Sequence, residues 1–282
     1  MNAEWYNAST MLKNDEPVKL SADLHIHSKH SVDGNATIDE MCRAASEKEF
    51  NTICFTEHFD MNPEDEGYGY FSFDKYSDDI KRAREKYGAK LTVLKGIEFS
   101  EPHLYRKEFE TMVGRDFDFV LVSIHYLEDF GAYWADEKRL QPDYPIEQVY
   151  NSYYQAMLKT IKFGGFDAIA HIDFPKRYLP RKYEPKDLLE SIVKEMVKRH
   201  IALEINSSPI RRGYEEVNPS GTICDLYVEH GGTMITTGSD AHKCEEIGQD
   251  FDRVAKIIQH YGFKTVCFVQ RKEVQLKIVQ QG

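Results

Sequence analysis

The sequence has few of the features that mark secreted or membrane proteins. None of its five cysteines forms a C-x-x-C pair, which argues against both a disulfide framework and a zinc finger. It has no run of about 18 apolar residues, so no membrane span is expected. Residues 1–14 lack the basic-then-apolar order of a signal peptide. We therefore expect a cytoplasmic protein in which most cysteines are small buried apolar residues.

Cationic residues are also in the minority, with 36 Lys and Arg against 47 Asp and Glu and a net charge of −11. This balance argues against broad nucleic-acid binding, which needs clustered cations at the phosphates. It does not exclude a small anionic substrate if the pocket holds metal ions. The length of 282 residues fits one large domain, since α/β barrels reach this size. We expect a single domain over residues 1–282, with 1–17 as a peripheral extension.

The repeating feature of the chain is an apolar strand, a polar strand end and a helix. Seven such strands are predicted near residues 18–27, 51–55, 91–94, 117–124, 166–170, 201–205 and 233–236, and a last apolar strand near 265–269. This alternation predicts parallel strands wrapped by helices. Because nearly every strand has polar residues at its carboxyl end, we expect a seven-stranded (β/α) TIM-like barrel. The alternative is an open doubly wound sheet, which gathers ligands at one switch point.

The ends of these strands present imidazoles and carboxylates but no thiolate. His25 and His27 are two residues apart on a strand, so their side chains point to the same face. The other strand-end residues of this kind are His58, Glu98, His125, His171, Asp240 and His242. This donor set suits zinc, manganese or iron. The donors exceed the four of a tetrahedral zinc site, which favours two or three divalent ions, and Glu98 can bridge two of them.

Other polar segments have simpler interpretations. His200, His230 and His260 each close a predicted helix, where an imidazolium is favoured by the helix dipole. The acidic and aromatic loop 60–73 is long enough to cover a site, although a solvated loop is the simpler interpretation. A second irregular stretch is predicted at 130–143.

Six motifs in a fixed order identify a family resemblance. D-L-H-I-H-S, T-E-H, G-I-E, S-I-H, A-H-I-D and G-S-D-A-H resemble the motifs of the polymerase-and-histidinol-phosphatase (PHP) superfamily over residues 20–245. The resemblance is closest to the stand-alone histidinol-phosphate phosphatases. It implies a distorted seven-stranded barrel and hydrolysis of L-histidinol phosphate in histidine biosynthesis. The alternative is a PHP phosphoesterase acting on another small phosphate monoester or on nucleotide or nucleic-acid ends.

The resemblance also implies a trinuclear metal centre. Carried over by motif, its three ligand sets are His25, His27, Glu98 and Asp240; Glu98, His125 and His171; and His58 with His242 and a residue of the loop after the first strand. Many relatives have a histidine six residues past the second His of H-x-H. This chain has Asp33 there, a competent but different ligand.

The phosphatases of the family also bind phosphate with arginines that follow later strands. Arg177 follows the H-I-D strand end, and Arg211 and Arg212 follow N-S-S-P-I, with Arg211 preferred. The planar guanidinium fits phosphate oxygens well. The residues expected to act directly in catalysis are Glu98, Asp240, His242, Arg177 and Arg211. Two candidates remain for the acid that protonates the leaving group, a water on the third ion and Asp173.

Two further classes are weighed against this interpretation. Barrel amidohydrolases also use H-x-H, but they commonly have a bridging lysine where this chain has Glu98. A binding module without catalysis predicts eroded ligand motifs, and all the main motifs here are intact. Both classes therefore rank below a phosphoesterase.

Overall fold

The computed structural model describes residues 18–130, 132–133, 144–179, 182–276 and 279–280. The predicted N-terminal extension 1–17 lies outside the described residues, as does most of the predicted irregular stretch 130–143.

Short strands alternate with longer helices along the described chain. The strands are β1 (Val18–Lys19), β2 (Ala22–Ile26), β3 (Thr52–Phe59), β4 (Thr92–Ser100), β5 (Phe119–Ser123), β6 (Tyr126–Leu127), β7 (Ala132–Tyr133), β8 (Ala168–Ile169), β9 (Ala202–Asn206), β10 (Met234–Gly238), β11 (Lys264–Val269), β12 (Lys272–Gln275) and β13 (Val279–Gln280). The helices are α1 (Ile38–Glu47), α2 (Phe73–Tyr87), α3 (Arg106–Val113), α4 (Ile146–Phe163), α5 (Lys186–Lys198), α6 (Ser208–Arg211), α7 (Gly221–Glu229) and α8 (Phe251–Tyr261).

Local sequence signals account for several helix boundaries. α1 begins after a capping box, in which the Thr37 hydroxyl accepts from the Glu40 amide and the Glu40 carboxylate accepts from the Thr37 amide. α4 ends at Gly164, whose φ of 72° is a conformation that glycine adopts without strain. Both boundaries therefore follow from residues that are close together in the sequence.

One mostly parallel sheet organises the molecule. Its order is β12-β11-β10-β9-β8-β5-β4-β3-β2, and every neighbouring pair is parallel except β11 with β12. β1 pairs with β13 and β6 pairs with β7 in two small antiparallel ladders. The predicted α/β class with parallel strands is therefore confirmed.

The predicted closed barrel of seven strands is not confirmed, because the sheet has nine strands and is not closed. The edge of β10 that faces away from β9 is shared between β11 and β2. Its first residues pair with β11, as in Met234 with Lys264. Just beyond its end, the amide of Asp240 donates to the carbonyl of His25 and the amide of His27 donates to the carbonyl of Ala241, both at 2.8 Å. The β11–β12 hairpin thus extends the sheet at the edge where β2 also approaches.

The sheet separates two apolar cores. The larger core packs the helices against the outer side of the strands. The smaller core consists of Ala22, Leu24, Cys54, Leu94, Phe119, Leu121, Ala168, Ala170, Ala202, Val266, Cys267 and Phe268. Leu94 and Glu98 are four residues apart on β4, so they lie on the same face of the sheet. The smaller core therefore lies beneath the polar strand ends.

Candidate metal centre

The first two candidate ligands lie at the end of β2. His25 belongs to the strand and His27 follows it, and both side chains are fully buried. Their Nε2 atoms are 3.0 Å apart. The pairing of β2 with β3 shifts register between Asp23 and Ile26, immediately beside these histidines. The prediction that both rings point to one face is confirmed.

Glu98 of β4 occupies the middle of the cluster. Its Oε2 is 3.3 Å from His25 Nε2, 3.5 Å from His27 Nε2 and 3.1 Å from His58 Nδ1. The residue is fully buried, and neither carboxylate oxygen accepts a hydrogen bond from the described residues. Because a buried carboxylate is costly unless it is paired or bound to a cation, this arrangement fits a ligand of metal ions.

The second oxygen of Glu98 faces two further histidines. Its Oε1 is 3.2 Å from His171 Nε2 and 3.8 Å from His125 Nε2. His125 follows β5 and His171 follows β8, so the two rings come from adjacent strands. The two oxygens of one carboxylate therefore face different sets of imidazoles, as a bridging ligand requires.

A loop carboxylate completes the more open side of the cluster. Asp33 Oδ2 lies 2.9 Å from His242 Nε2 and 3.7 Å from His58 Nε2. The ring of His27 stacks on the rings of both histidines, with centroids 4.2 Å from His58 and 4.3 Å from His242. The structure therefore places Asp33 beside His58 and His242, the two histidines with which the family resemblance grouped it.

Asp240 joins the cluster to Arg177. Its Oδ1 is 3.7 Å from His25 Nε2 and 3.6 Å from His27 Nε2, while its Oδ2 accepts from Arg177 Nη2 at 3.1 Å. The φ of Asp240 is 54°, a left-handed conformation that costs a non-glycine residue about 1–3 kcal/mol. Arg177 is itself buried, and its guanidinium also donates to Ser208 Oγ. The arginine is thus held at the edge of the cluster.

Among the residues that the structure describes, three sets of donor atoms lie close enough together to hold an ion, with all donor atoms of a set within 4.8 Å of one another. The sets are His27, His58 and His242; His25, Glu98 and His171; and His25, His27 and Asp240. His27 thus also lies among the residues that the resemblance assigned to a third ion. His125 and Asp33 contact these sets without belonging to them.

Burial and neighbouring charge shift the pKa values of these side chains in both directions. Burial lowers the pKa of His27 well below its ordinary value, and neighbouring imidazoles lower it further. Burial also lowers the pKa of His171 to about 4. Burial alone would raise the pKa of Glu98, but the charges of His25 and His58 hold it well below its ordinary value. The neutral rings of His27 and His171 and the ionised Glu98 are forms that bind metal. Burial lowers the pKa values of His25, His58 and His125, but nearby carboxylates outweigh it and raise all three, so a bound cation must displace protons there.

The two candidate phosphate-binding arginines after β9 differ in position. Arg211 is mostly buried and donates to the backbone carbonyls of Ser239 and Asp240. Arg212 is exposed. Arg211 is thus the one held beside Asp240, and which of the two binds phosphate stays a prediction.

Other residues singled out in the sequence lie at the border of the cluster or beyond it. Asp60, the first residue of the loop 60–73, is buried, and its Oδ1 is 3.8 Å from His125 Nδ1. Asp173 Oδ2 accepts from the amide of Ser220 and pairs with Lys176, each at 2.8 Å. Its Oδ2 is therefore held in an ion pair, whereas its buried Oδ1 accepts no hydrogen bond from the described residues, and burial raises the pKa of the carboxyl.

Several residues that contact or support the candidate ligands were not predicted from the sequence. Ser31 Oγ donates to Glu57 Oε2 at 2.7 Å and lies 3.2 Å from His27 Nδ1. Glu204 Oε1 lies 2.6 Å from His25 Nδ1. Glu57 and Glu204 lie within the buried parts of strands β3 and β9, next to apolar residues, and an acid in such a segment was the signal that could have identified them.

Comparisons with known proteins agree with this geometry. A family model described as the PHP domain matches residues 23–208. A Clostridium acetobutylicum protein named "probable histidinol-phosphatase" is 30% identical over 259 residues, covering 88% of this chain and 97% of that protein. A Thermotoga maritima protein of the same name is 27% identical over 257 residues, covering 91% and 99%.

The fold is similar to those of solved structures, including one that was crystallised with ligands. This structure is the histidinol phosphate phosphatase of Lactococcus lactis subsp. lactis, crystallised with zinc, L-histidinol and phosphate. The TM-score is 0.76 with 23% sequence identity, and the match covers 90% of this chain and 98% of that one.

None of the described helices of the present chain is long and apolar enough to cross a membrane.

Proposed function

The chain belongs to the PHP domain family, and from that premise we propose that it is a metal-dependent phosphatase that hydrolyses L-histidinol phosphate to L-histidinol and phosphate. In this reaction water adds to phosphorus, the ester P–O bond breaks, and the leaving alkoxide takes up a proton. The relatives named for this activity match nearly their whole length to this chain, which supports the same substrate.

The observation that carries the proposal is the setting of Glu98. Its carboxylate is fully buried, accepts no hydrogen bond from the described residues and faces imidazoles on both oxygens. A protein interior tolerates such a group when cations neutralise it. The surrounding donors are all nitrogen and oxygen, which suits zinc, manganese or iron.

We assign the candidate ligands to two or three divalent ions. The proposed sets are His25, His27, Glu98 and Asp240; Glu98, His125 and His171; and Asp33, His58 and His242. When bound, such ions lower the pKa of a coordinated water and neutralise charge on a phosphoryl group.

Arginines are proposed to hold the phosphate of the substrate. Arg177 contacts Asp240 Oδ2 and Arg211 lies against the backbone of the same residue, so both cations border the cluster. A guanidinium at this position can donate two parallel hydrogen bonds to phosphate oxygens. Arg212 is left outside this group because it is exposed.

Further parts of the proposal concern the rest of the molecule. In this proposal, acidic side chains of the loop 60–73 contact the amine of L-histidinol phosphate. The net charge of −11 argues against a nucleic-acid partner. We also propose that seven of the parallel strands, β2 to β5 and β8 to β10, form the distorted PHP barrel within one domain, and that the protein works in the cytoplasm.

A substrate panel tests the proposal. Protein loaded with zinc or manganese is offered histidinol phosphate, other small phosphate monoesters, nucleotides and oligonucleotides, and phosphate release is measured. We expect the highest kcat/KM for histidinol phosphate and loss of activity after chelation. Fast release of terminal nucleotides without turnover of histidinol phosphate would contradict the proposal and favour the nucleic-acid alternative.

A further inference from the structure

Glu204 is a buried carboxylate that lies behind the candidate ligands. Its Oε1 is 2.6 Å from His25 Nδ1, and its Oε2 accepts from the backbone amide of His171 at 2.8 Å. The Nδ2 atom of Asn206 donates to the same Oε2 at 3.1 Å. One side chain thus contacts two residues that come from different strand ends and face opposite oxygens of Glu98.

The hydrogen bonds around Glu204 assign the proton on His25. The amide of Asn206 is oriented by its Oδ1, which accepts from the backbone amide of Ser208 at 3.0 Å, so its NH₂ faces Glu204. A carboxylate accepts from every group around it, and Nδ1 of His25 must therefore carry a proton. The lone pair of His25 Nε2, which faces Glu98 at 3.3 Å, is then free for a cation.

The neighbouring strand leaves space for this contact only because residue 238 is glycine. A Cβ atom at Gly238 would lie 2.3 Å from Glu204 Oε1 and 2.6 Å from His25 Cβ. Both distances are far below van der Waals contact. The backbone of β10 therefore lies so close to Glu204 and His25 that no side chain fits between them at position 238.

We propose that Glu204 is a positioning residue of the metal centre. It fixes the proton of His25 on Nδ1 and holds the backbone of His171, so that Nε2 of each ring faces the ions. The inference rests on the proposed metal-dependent function and adds to it a residue that does not itself contact metal or substrate. Outer partners of this kind typically change metal affinity by about 10–100-fold.

Glu204→Gln tests the inference sharply. A glutamine has one accepting oxygen, and the two donors from His171 and Asn206 require it on their side. Its NH₂ group then faces His25 Nδ1 and can only donate, which moves the ring proton to Nε2 and blocks the lone pair meant for metal. We expect a zinc affinity about 10–100-fold weaker than that of the wild type.

The control is another buried carboxylate, which precedes β8 instead of following it as the candidate ligand His171 does. Asp167 accepts from the amide of Val120 at 2.8 Å and pairs with Arg271 at 2.6 Å. Asp167→Asn removes a buried charge without touching a candidate ligand. We expect it to lower the thermal unfolding temperature of the metal-free protein while leaving the zinc affinity and stoichiometry at wild-type values.

The experiment measures zinc affinity by competition with a chelator, and the proton position on His25 by long-range ¹H–¹⁵N NMR of histidine-labelled protein. A selective loss in Glu204→Gln, largely absent when His25→Ala is already present, is the expected result. Wild-type affinity in Glu204→Gln, or equal losses in Glu204→Gln and Asp167→Asn, would overturn the inference. A wild type that binds zinc but leaves histidinol phosphate intact would overturn the proposed substrate and not this role of Glu204.

Discussion

The two ends of the same strands carry opposite chemistry on the face where the candidate ligands lie. β4 presents Leu94 near its start and Glu98 four residues later, and Leu121 of β5 is followed four residues later by His125. The early residues belong to the smaller apolar core, and the late ones to the cluster of imidazoles and carboxylates.

This difference separates stability from chemistry. At the starts of the strands, each fully buried leucine contributes about 1.5–3 kcal/mol to folding and requires no ligand. At the ends, Glu98 is buried without a hydrogen bond from the described residues, a setting that the proposed cations would neutralise. Substitutions at the two ends should therefore have separable effects.

The largest effect is expected at the polar end, from Glu98→Gln. The change keeps the size of the side chain but removes the negative charge that faces imidazoles on both oxygens. We expect kcat/KM to fall by more than about 100-fold, because losing even an outer partner of a ligand costs about 10–100-fold. The rate of phosphate release and the content of bound metal, measured by elemental analysis, should fall together. Full activity with full metal content would contradict the bridging role.

The apolar end should respond in the opposite way. Leu121 is fully buried, and Leu121→Ala should lower the free energy of unfolding by about 2–5 kcal/mol through lost burial and a cavity. Zinc stoichiometry and kcat of the folded protein should stay at wild-type values. Chemical denaturation and metal analysis of the same preparation measure both quantities, and a loss of bound zinc would show that the two ends are not independent.

A smaller effect is expected from Gly238→Ala, because a Cβ atom there forces Glu204 and His25 to move. We expect zinc affinity to fall by about tenfold or more, at the lower end of the range for outer partners. Gly221→Ala is the matched control, since the nearest atom to its Cβ would be Tyr261 Oη at 3.9 Å. Equal zinc affinities in the two variants would contradict the tight packing inferred around Glu204.

The smallest effects should distinguish the neighbouring arginines. Arg211→Ala should raise KM by about tenfold, the size expected when a charged hydrogen bond is lost. Arg212 is exposed, so Arg212→Ala should leave KM within about twofold of the wild type, as most surface substitutions do. Steady-state kinetics on both variants measures the difference, and the reverse order would reassign the phosphate contact to Arg212.

Much of the site could be predicted because its residues follow apolar segments. Parallel strands bring their carboxyl ends to one edge, so His58, His125 and His171 could be placed together without coordinates. No pattern in the sequence separates Arg211 from Arg212, so the preference for Arg211 stays a prediction.

Other features depend on pairing that no local pattern encodes. Glu204 lies in a five-residue strand that is buried throughout, so period-two alternation could not show which face it occupies. The sheet order was also hidden, because β11 and β2 both approach the same edge of β10. The choice between a closed barrel of seven strands and a sheet of nine is made by these long-range contacts.

X-ray diffraction at the zinc absorption edge, from crystals of zinc-loaded protein, tests the central claim most directly. The account predicts anomalous peaks about 2.0–2.2 Å from nitrogen atoms of His25 and His171 and from the oxygens of Glu98. Side chains in the same positions with no anomalous peak among them, at saturating zinc, would contradict it.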